Sequence, residues 1–440
     1  MSDVVPEADR RLPFRSIIPN QPPTVSEETI EALRRITAGV MAVQDTTVGW
    51  QQHTLRVRGR LMVPAEQAFA QIRPQFEALG HTPRLFRDGE LDVIAAIPYV
   101  FGREARRVPW GALAFFLLTL LSVFWVGVSN ELYIPFTEAL SYRLTGTTMG
   151  MYPPDLLPTA AQFSEAVLKG LLYTAALLGI LGAHEMGHFL MARRHGVQTT
   201  FPFFIPLPLN ILGTMGAVIA MKEPAPNRKI QFDIGVAGPL AGLVVAIPVL
   251  VIGLLLSEVS TRAQIIAGMP ASIQDQVGFY QEGQSLLYLG IKWLVFGQVL
   301  PRGDLDVFIH PVAFAAWAGL LVTALNLLPV GQLDGGHVLY GLFGEKARRA
   351  RLPIIAALVV LALVGTLADL QVIDLGFGWS GWWLWVALLV FLLRGHAPVL
   401  DEITGLDDRR RLLGVLTLIV FILIFTPRPL VLTAALVGLL

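Results

Sequence analysis

The sequence predicts a polytopic α-helical membrane protein of about seven spans, or eight if one of two shorter apolar runs also crosses, behind a small cytosolic α+β domain. Three observations predict it. The 440 residues are 54% hydrophobic and only 15% charged, far too few charges for a soluble chain of this size. Several apolar runs reach the roughly 20 residues that a bilayer-spanning helix needs. Basic residues also segregate between alternate connections, as they do in membrane proteins with a fixed orientation.

Residues 1–25 are Pro-rich and polar and read as a flexible tail, with no apolar core of a signal peptide. Residues 26–100 read as the α+β domain. Ser26 is placed to cap a helix through about Ile36, and Thr54–Val63 alternates as a strand. Ala65–Leu79 has a helical pattern, and Arg84–Ile97 folds back through Asp88-Gly89, a hairpin turn signal. Arg56, Arg58 and Arg60 share one strand face, which the plain reading makes a solvated edge rather than a binding face.

Residues 101–440 read as the membrane part. Spans are expected at about 109–129, 165–192, 233–257, 311–328, 352–370, 379–394 and 411–426; runs 285–300 and 429–440 are interfacial or re-entrant. One set of connections carries sixteen basic residues, from Arg103, Arg106 and Arg107 to Arg409, Arg410 and Arg411; the opposite set carries five, Arg143, Arg262, Lys292, Arg302 and Arg428. This bias places the N-terminus in the cytosol, and a bacterial cytoplasmic membrane is the expected location. Membrane lipid is then its surroundings, and zero net charge argues against a nucleic-acid partner. Cys is absent, which excludes disulfides, thiol catalysis and Cys-ligated zinc and leaves His, Asp and Glu as metal ligands.

Within the second span stands His184-Glu185-Met186-Gly187-His188. Histidines four apart share a helix face one turn apart and can grip one ion, and Glu185 leans toward the same place as a base. A glutamate in lipid without a task is expensive. Arg193 should snorkel to the cytosolic surface, so at ~1.5 Å per residue His188 lies ~7.5 Å and His184 ~13.5 Å below it. Zinc wants a third protein ligand. Asp334 is the candidate: it follows the span 311–328 at the same cytosolic depth, flanked by Pro329, Gly331, Gly335 and Gly336 that break helix geometry.

HEMGH together with Asn326-Leu327-Leu328-Pro329-Val330-Gly331-Gln332-Leu333-Asp334-Gly335 resembles the two signatures of the site-2 proteases. The resemblance covers roughly 165–345. It implies an intramembrane zinc endopeptidase that cleaves transmembrane segments of membrane proteins near the cytosolic face, in regulated intramembrane proteolysis. One Zn2+ is then held by His184, His188 and Asp334, with Glu185 as acid and base. Asn326 is implied to hold substrate or the oxyanion, with helix capping or helix–helix hydrogen bonding as the plainer alternative. A soluble domain before the first span, followed by Phe201-Pro202-Phe203-Phe204-Ile205-Pro206-Leu207-Pro208, is similar to the plastid EGY-type branch and its bacterial relatives; the GNLR-like motif of that branch is matched only in part, by Arg58-Gly59-Arg60-Leu61.

The stretch Phe204–Met221 is apolar and too broken by Pro and Gly for a span. The resemblance suggests a re-entrant β-hairpin with Gly213, Thr214, Met215 and Gly216 at or near its turn, binding unwound substrate at its edge. The plain alternative is an interfacial loop. Gly378-Trp379-Ser380-Gly381 imitates a serine-protease motif, but no histidine follows His396, so it reads as a tightly packed helix start. His195, His310, His337 and His396 read as interfacial or structural. Other classes remain in view: a metal transporter would string its ligands across the membrane rather than cluster them, and a non-catalytic scaffold that binds membrane helices would not need Glu185.

Overall fold

The computed structural model describes residues 25–49, 53–101, 109–274, 278–391 and 399–434. The tail 1–24, the basic residues Arg103, Arg106, Arg107 and Arg394, and His396 lie outside them.

The first part is built from α1 (Glu27–Ala38), β1 (Met41–Val48), β2 (Leu55–Leu61), α2 (Ala65–Ala78), β3 (Thr82–Asp88) and β4 (Leu91–Ile97). Ser26 caps α1 by accepting from the Thr29 amide. The strands form one antiparallel sheet in the order β1-β2-β4-β3, with Leu33, Ile72, Phe76, Leu85 and Ile94 in the core beneath it. Strand β1, absent from the expected elements, pairs so closely that a Cβ on Gly59 would meet the Ala42 carbonyl oxygen at 2.1 Å. The arginine face is occupied internally: Arg56 pairs with Asp88, and Arg58 with Asp45 at 2.9 Å.

The apolar part follows: α3 (Trp110–Ser129), α4 (Phe136–Thr145), α5 (Ala160–Arg194), β5 (Phe203–Leu207), β6 (Gly213–Val218), α6 (Arg228–Leu255), β7 (Glu258–Thr261), α7 (Arg262–Ala267), β8 (Gly278–Glu282), α8 (Leu286–Phe296), β9 (Leu305–Phe308), α9 (Pro311–Asn326), α10 (Asp334–Phe343), α11 (Arg351–Asp369), α12 (Trp382–Phe391), α13 (Asp408–Ile424) and β10 (Leu430–Ala434). Among the described residues four helical stretches are long and apolar enough to cross a membrane: α3, α5, α6 and the run Asp334–Asp369. Three shorter apolar helices, α8, α9 and α12, accompany them. The expected count of seven spans is therefore met by length only in part. Run 285–300 is the 11-residue α8, too short to cross alone. Run 429–440 begins as β10, paired with β8, because its backbone finds a partner strand there.

Helices α5, α6 and α9 pack side by side around Tyr173, Leu177, Ile180, Leu250, Ala316 and Leu320. Small residues set the spacing. A Cβ on Gly319 would lie 2.7 Å from the Ile180 side chain, and one on Gly253 2.3 Å from the Ala313 backbone nitrogen, so α9 meets α5 backbone to side chain and α6 backbone to backbone. The same device marks Gly378 and Gly365 at the α11–α12 crossing, where the serine-protease-like motif packs a helix start.

The two parts are joined by backbone. Segment 399–402 lies between β3 and the approach to α6: the Leu85 amide donates to Leu400, and Asp401 donates to Pro226, at 2.7 and 2.9 Å. Arg84 pairs with Glu402 at 2.9 Å and Arg73 with Glu223 at 3.3 Å. The sheet thus hangs directly on the start of α6.

Candidate metal centre

Helix α5 carries His184, Glu185 and His188, all buried. The Thr159 capping box starts this helix 25 residues earlier, and at ~1.5 Å per residue its 35 residues run ~50 Å, longer than the hydrocarbon core of a bilayer. Asp334 arrives from elsewhere. Helix α9 ends at Asn326, the chain reverses through Gly331 at φ 63°, and α10 begins at Asp334. That reversal is tight. A Cβ on Gly335 would lie 1.9 Å from the Leu327 carbonyl oxygen and one on Gly336 2.4 Å from that of Gly331. The glycines after Asp334 therefore let its helix end press against the loop and aim the carboxylate at α5.

The structure brings His184, His188 and Asp334 together. His184 Nε2 lies 3.2 Å from Asp334 Oδ2, His188 Nε2 lies 3.2 Å from the same oxygen, and the two Nε2 atoms are 3.2 Å apart. An ion with bonds of ~2.0–2.1 Å in tetrahedral geometry needs ligand–ligand edges of ~3.3–3.4 Å. The three atoms are thus one face of such a tetrahedron, and the donor set of two imidazoles and one carboxylate suits zinc. His188 Nδ1 donates to the Ile234 carbonyl of α6 at 2.7 Å, which leaves Nε2 as the lone-pair nitrogen of the neutral ring. Glu185 is 5% exposed, one residue from His184 on the same helix.

Asn326 stands at the end of α9 with its Nδ2 3.3 Å from His184 Nε2, so its amide reaches the same centre. His337 lies one turn past Asp334 and packs its Cβ against Gly235 of α6. His195 and His310 are elsewhere: His195 bonds to Asp233 at 3.0 Å, and His310 caps α9.

The stretch 203–218 is the expected β-hairpin, and its turn lies just before Gly213. Gly213, Thr214, Met215 and Gly216 lie in strand β6, and the turn is formed by the residues before it, where Asn210 Oδ1 accepts from the Leu212 and Gly213 amides. The apolar, Gly-rich composition showed a break but not which residues turn. The asparagine side chain decides that, by replacing backbone partners. Nor does this stretch lie level with the candidate metal ligands. Tyr173, eleven residues before His184, donates to Leu212, and Ser122 donates to Gly213, at 3.0 and 2.6 Å; at ~1.5 Å per residue this is ~16 Å from His184 along α5. The hairpin runs beside α3 from Phe115 against Phe203 to Asn130 against Ile211. Level with the ligands are instead Phe204, which faces Gly182 of α5, and its partner Ala217.

Glycines of α6 were also missed. Gly238 and Gly242 face His188 and His184 directly, and the signal was the spacing Gly235-Val236-Ala237-Gly238-Pro239-Leu240-Ala241-Gly242, legible only once a partner face is known.

Residues 172–367 match Peptidase family M50. The chain is 33% identical over 264 residues to "Probable zinc metalloprotease EGY2, chloroplastic" of Arabidopsis thaliana, covering 60% of this chain and 42% of that one. It is 32% identical over 320 residues to "Probable zinc metalloprotease EGY1, chloroplastic" of Oryza sativa subsp. japonica, covering 72% and 50%. The Arabidopsis thaliana protein of the same name is 33% identical over 318 residues, covering 72% and 52%. The chain spans about half the length of these curated relatives. No solved structure matches it. With two histidines, an aspartate and an asparagine gathered at one point of a helical core, and with these likenesses, residues 172–367 form a peptidase family M50 domain, the site-2 protease type, similar to that of the EGY-type zinc metalloproteases.

Proposed function

We propose that the chain is an intramembrane zinc endopeptidase that cleaves transmembrane segments of other membrane proteins. The observation that carries this is the triangle of His184 Nε2, His188 Nε2 and Asp334 Oδ2, 3.2 Å on each side, next to a buried glutamate. In this reading His184, His188 and Asp334 hold one Zn2+. Zinc held there supplies Lewis acidity, which makes a water acidic and polarises a carbonyl oxygen.

The chain's own residues do the rest. Glu185 takes the proton of the attacking water and delivers it to the leaving amide nitrogen. The Asn326 amide donates to the carbonyl oxygen as negative charge builds on it. A helical substrate hides its peptide bonds in its own turns, so a short stretch must unwind. The outer edge of β6 can then receive the freed backbone, since the hairpin has only two strands. The charge bias along the sequence puts the Arg193 end of α5, and the N-terminal sheet, on the cytosolic side, which makes cleavage a cytosolic-edge event and suits release of a cytosolic fragment in regulated intramembrane proteolysis.

The test uses purified full chain in detergent or vesicles. Glu185→Gln keeps its zinc and loses cleavage of a reporter membrane helix by ~10²–10⁴-fold, because it removes the base and spares the ligands. Near wild-type cleavage by that variant would overturn the mechanism. Zinc flux into vesicles that Glu185→Gln leaves unchanged would instead make the protein a transporter.

A further inference from the structure

The ligand histidines are seated by a helix that supplies no ligand. Helix α6 crosses α5 so closely that a Cβ on Gly238 would lie 2.1 Å from His188 Nε2, 2.4 Å from Cδ2 and 2.5 Å from Cε1. No real Cβ can occupy that place. One turn further, a Cβ on Gly242 would lie 3.2 Å from His184 Cβ and 3.3 Å from Nδ1. One turn earlier, the Ile234 carbonyl takes the His188 Nδ1 proton at 2.7 Å. Pro239, next to Gly238, has no N–H for the Gly235 carbonyl, so this turn of α6 is one ladder bond short and its carbonyls lean outward more readily. Backbone of α6 thus bounds the His188 ring on its metal-binding edge and fixes its opposite nitrogen.

We infer that Gly238 is a positioning residue for the metal centre: its missing side chain is the seat that lets His188 Nε2 reach the ion while Ile234 holds Nδ1. Gly242 does the same for His184 with more slack. The inference rests on His184, His188 and Asp334 being the metal site. It goes further in giving α6 a share of the affinity. A ring displaced by one methyl group would point its lone pair off the ion, and outer-shell changes of this sort lower metal affinity by ~10–100-fold.

The experiment measures zinc affinity of folded, full-length protein by competition with a graded chelator, together with the visible spectrum of the cobalt-substituted form. The variants are Gly238→Ala, Gly242→Ala and Gly253→Ala. Gly253 is on the same helix, and its Cβ would lie 2.3 Å from the Ala313 amide, as severe an insult to helix packing but remote from the imidazoles. The expected result is a ~10–100-fold loss for Gly238→Ala, a smaller loss for Gly242→Ala, an altered cobalt spectrum for both, and wild-type affinity for folded Gly253→Ala. Should Gly238→Ala fail to fold, Gly242→Ala against Gly253→Ala decides. Wild-type affinity in both site glycine variants, or equal loss in Gly253→Ala, overturns the inference. His184→Ala and His188→Ala serve as the reference: if they still bind zinc, the metal site itself is misassigned, which is a different failure.

Discussion

Two of the buried polar clusters among the described residues of the apolar part are built on opposite principles. Around Lys292, which is 0% exposed, stand Asp306 at 3.2 Å and Glu282 at 3.5 Å, with Tyr288 donating to Glu282 at 3.0 Å. Gln281 and the Val307 amide donate to Asp306. This cluster contains its own cation and enough donors, and it ties α8, β8 and β9 together. At the metal centre two imidazole nitrogens and a carboxylate oxygen converge with no lysine or arginine among them. Lone pairs turned toward one another in a medium of low polarity are unfavourable unless something positive sits between them. A buried cluster that neutralises itself serves as scaffold, and one whose nitrogens and carboxylate oxygen face a common point is a candidate metal site.

Breaking each cluster should separate stability from chemistry. Lys292→Met leaves two carboxylates without their cation and should destabilise the fold by about 3–5 kcal/mol, read by thermal unfolding in detergent. The folded fraction should keep its zinc. Zinc loss from well-folded Lys292→Met would erase the distinction.

Asn326→Ala should do the reverse, lowering kcat by ~10²–10³-fold with zinc content and unfolding nearly unchanged, if the amide serves the oxyanion. A stability loss with little rate change would return Asn326 to a packing role.

The junction between the sheet and the membrane part is a milder case. Arg84→Ala removes a largely buried bond to Glu402, and about 1–3 kcal/mol of local stability should go with it. Faster amide exchange in 399–402 is the measurement, with metal affinity unchanged. Exchange as slow as in the wild type would leave the link to the backbone bonds and the Arg73–Glu223 pair.

Proline at Ala217 or Val218, level with the ligands, should slow cleavage more than proline at Gly213 or Thr214, near the hairpin's tip. A lost strand bond costs ~0.5–1.5 kcal/mol, so the difference is of the order of several-fold. Equal effects along the strand would remove β6 from substrate pairing.

The smallest effect concerns pH. His81 donates from Nδ1 to the Leu79 carbonyl and contacts Thr54 through Nε2 at 2.7 and 2.9 Å, and burial holds its pKa below the ordinary 6.5. The folded state therefore favours the neutral ring. Its contribution is intact above 6.5 and is lost as pH falls through the lowered folded value, so the sheet should unfold more easily at about pH 5 than at about pH 7.5. His81→Gln should flatten that dependence; an unchanged slope would assign it to other groups.

Much of the centre was legible because helix geometry is local. Spacing i, i+4 fixes that His184 and His188 share a face whatever surrounds them, and an aspartate between Pro and glycines announces a helix break with a carboxylate at its edge. The apolar runs and the signature stretch around Asn326 and Asp334 were equally readable, since burial in lipid and tight turns each demand particular residue types. What depends on a partner was not readable. That the hairpin's tip lies ~16 Å beyond His184 along α5, that β1 closes one edge of the sheet and that segment 399–402 joins the other at β3 all follow from where distant backbone finds hydrogen bonds. The same holds for Gly238. Alone it is one small residue in an apolar helix; only against α5 does its missing Cβ become the space in which His188 sits, because steric exclusion is a property of two surfaces and a sequence lists them one at a time.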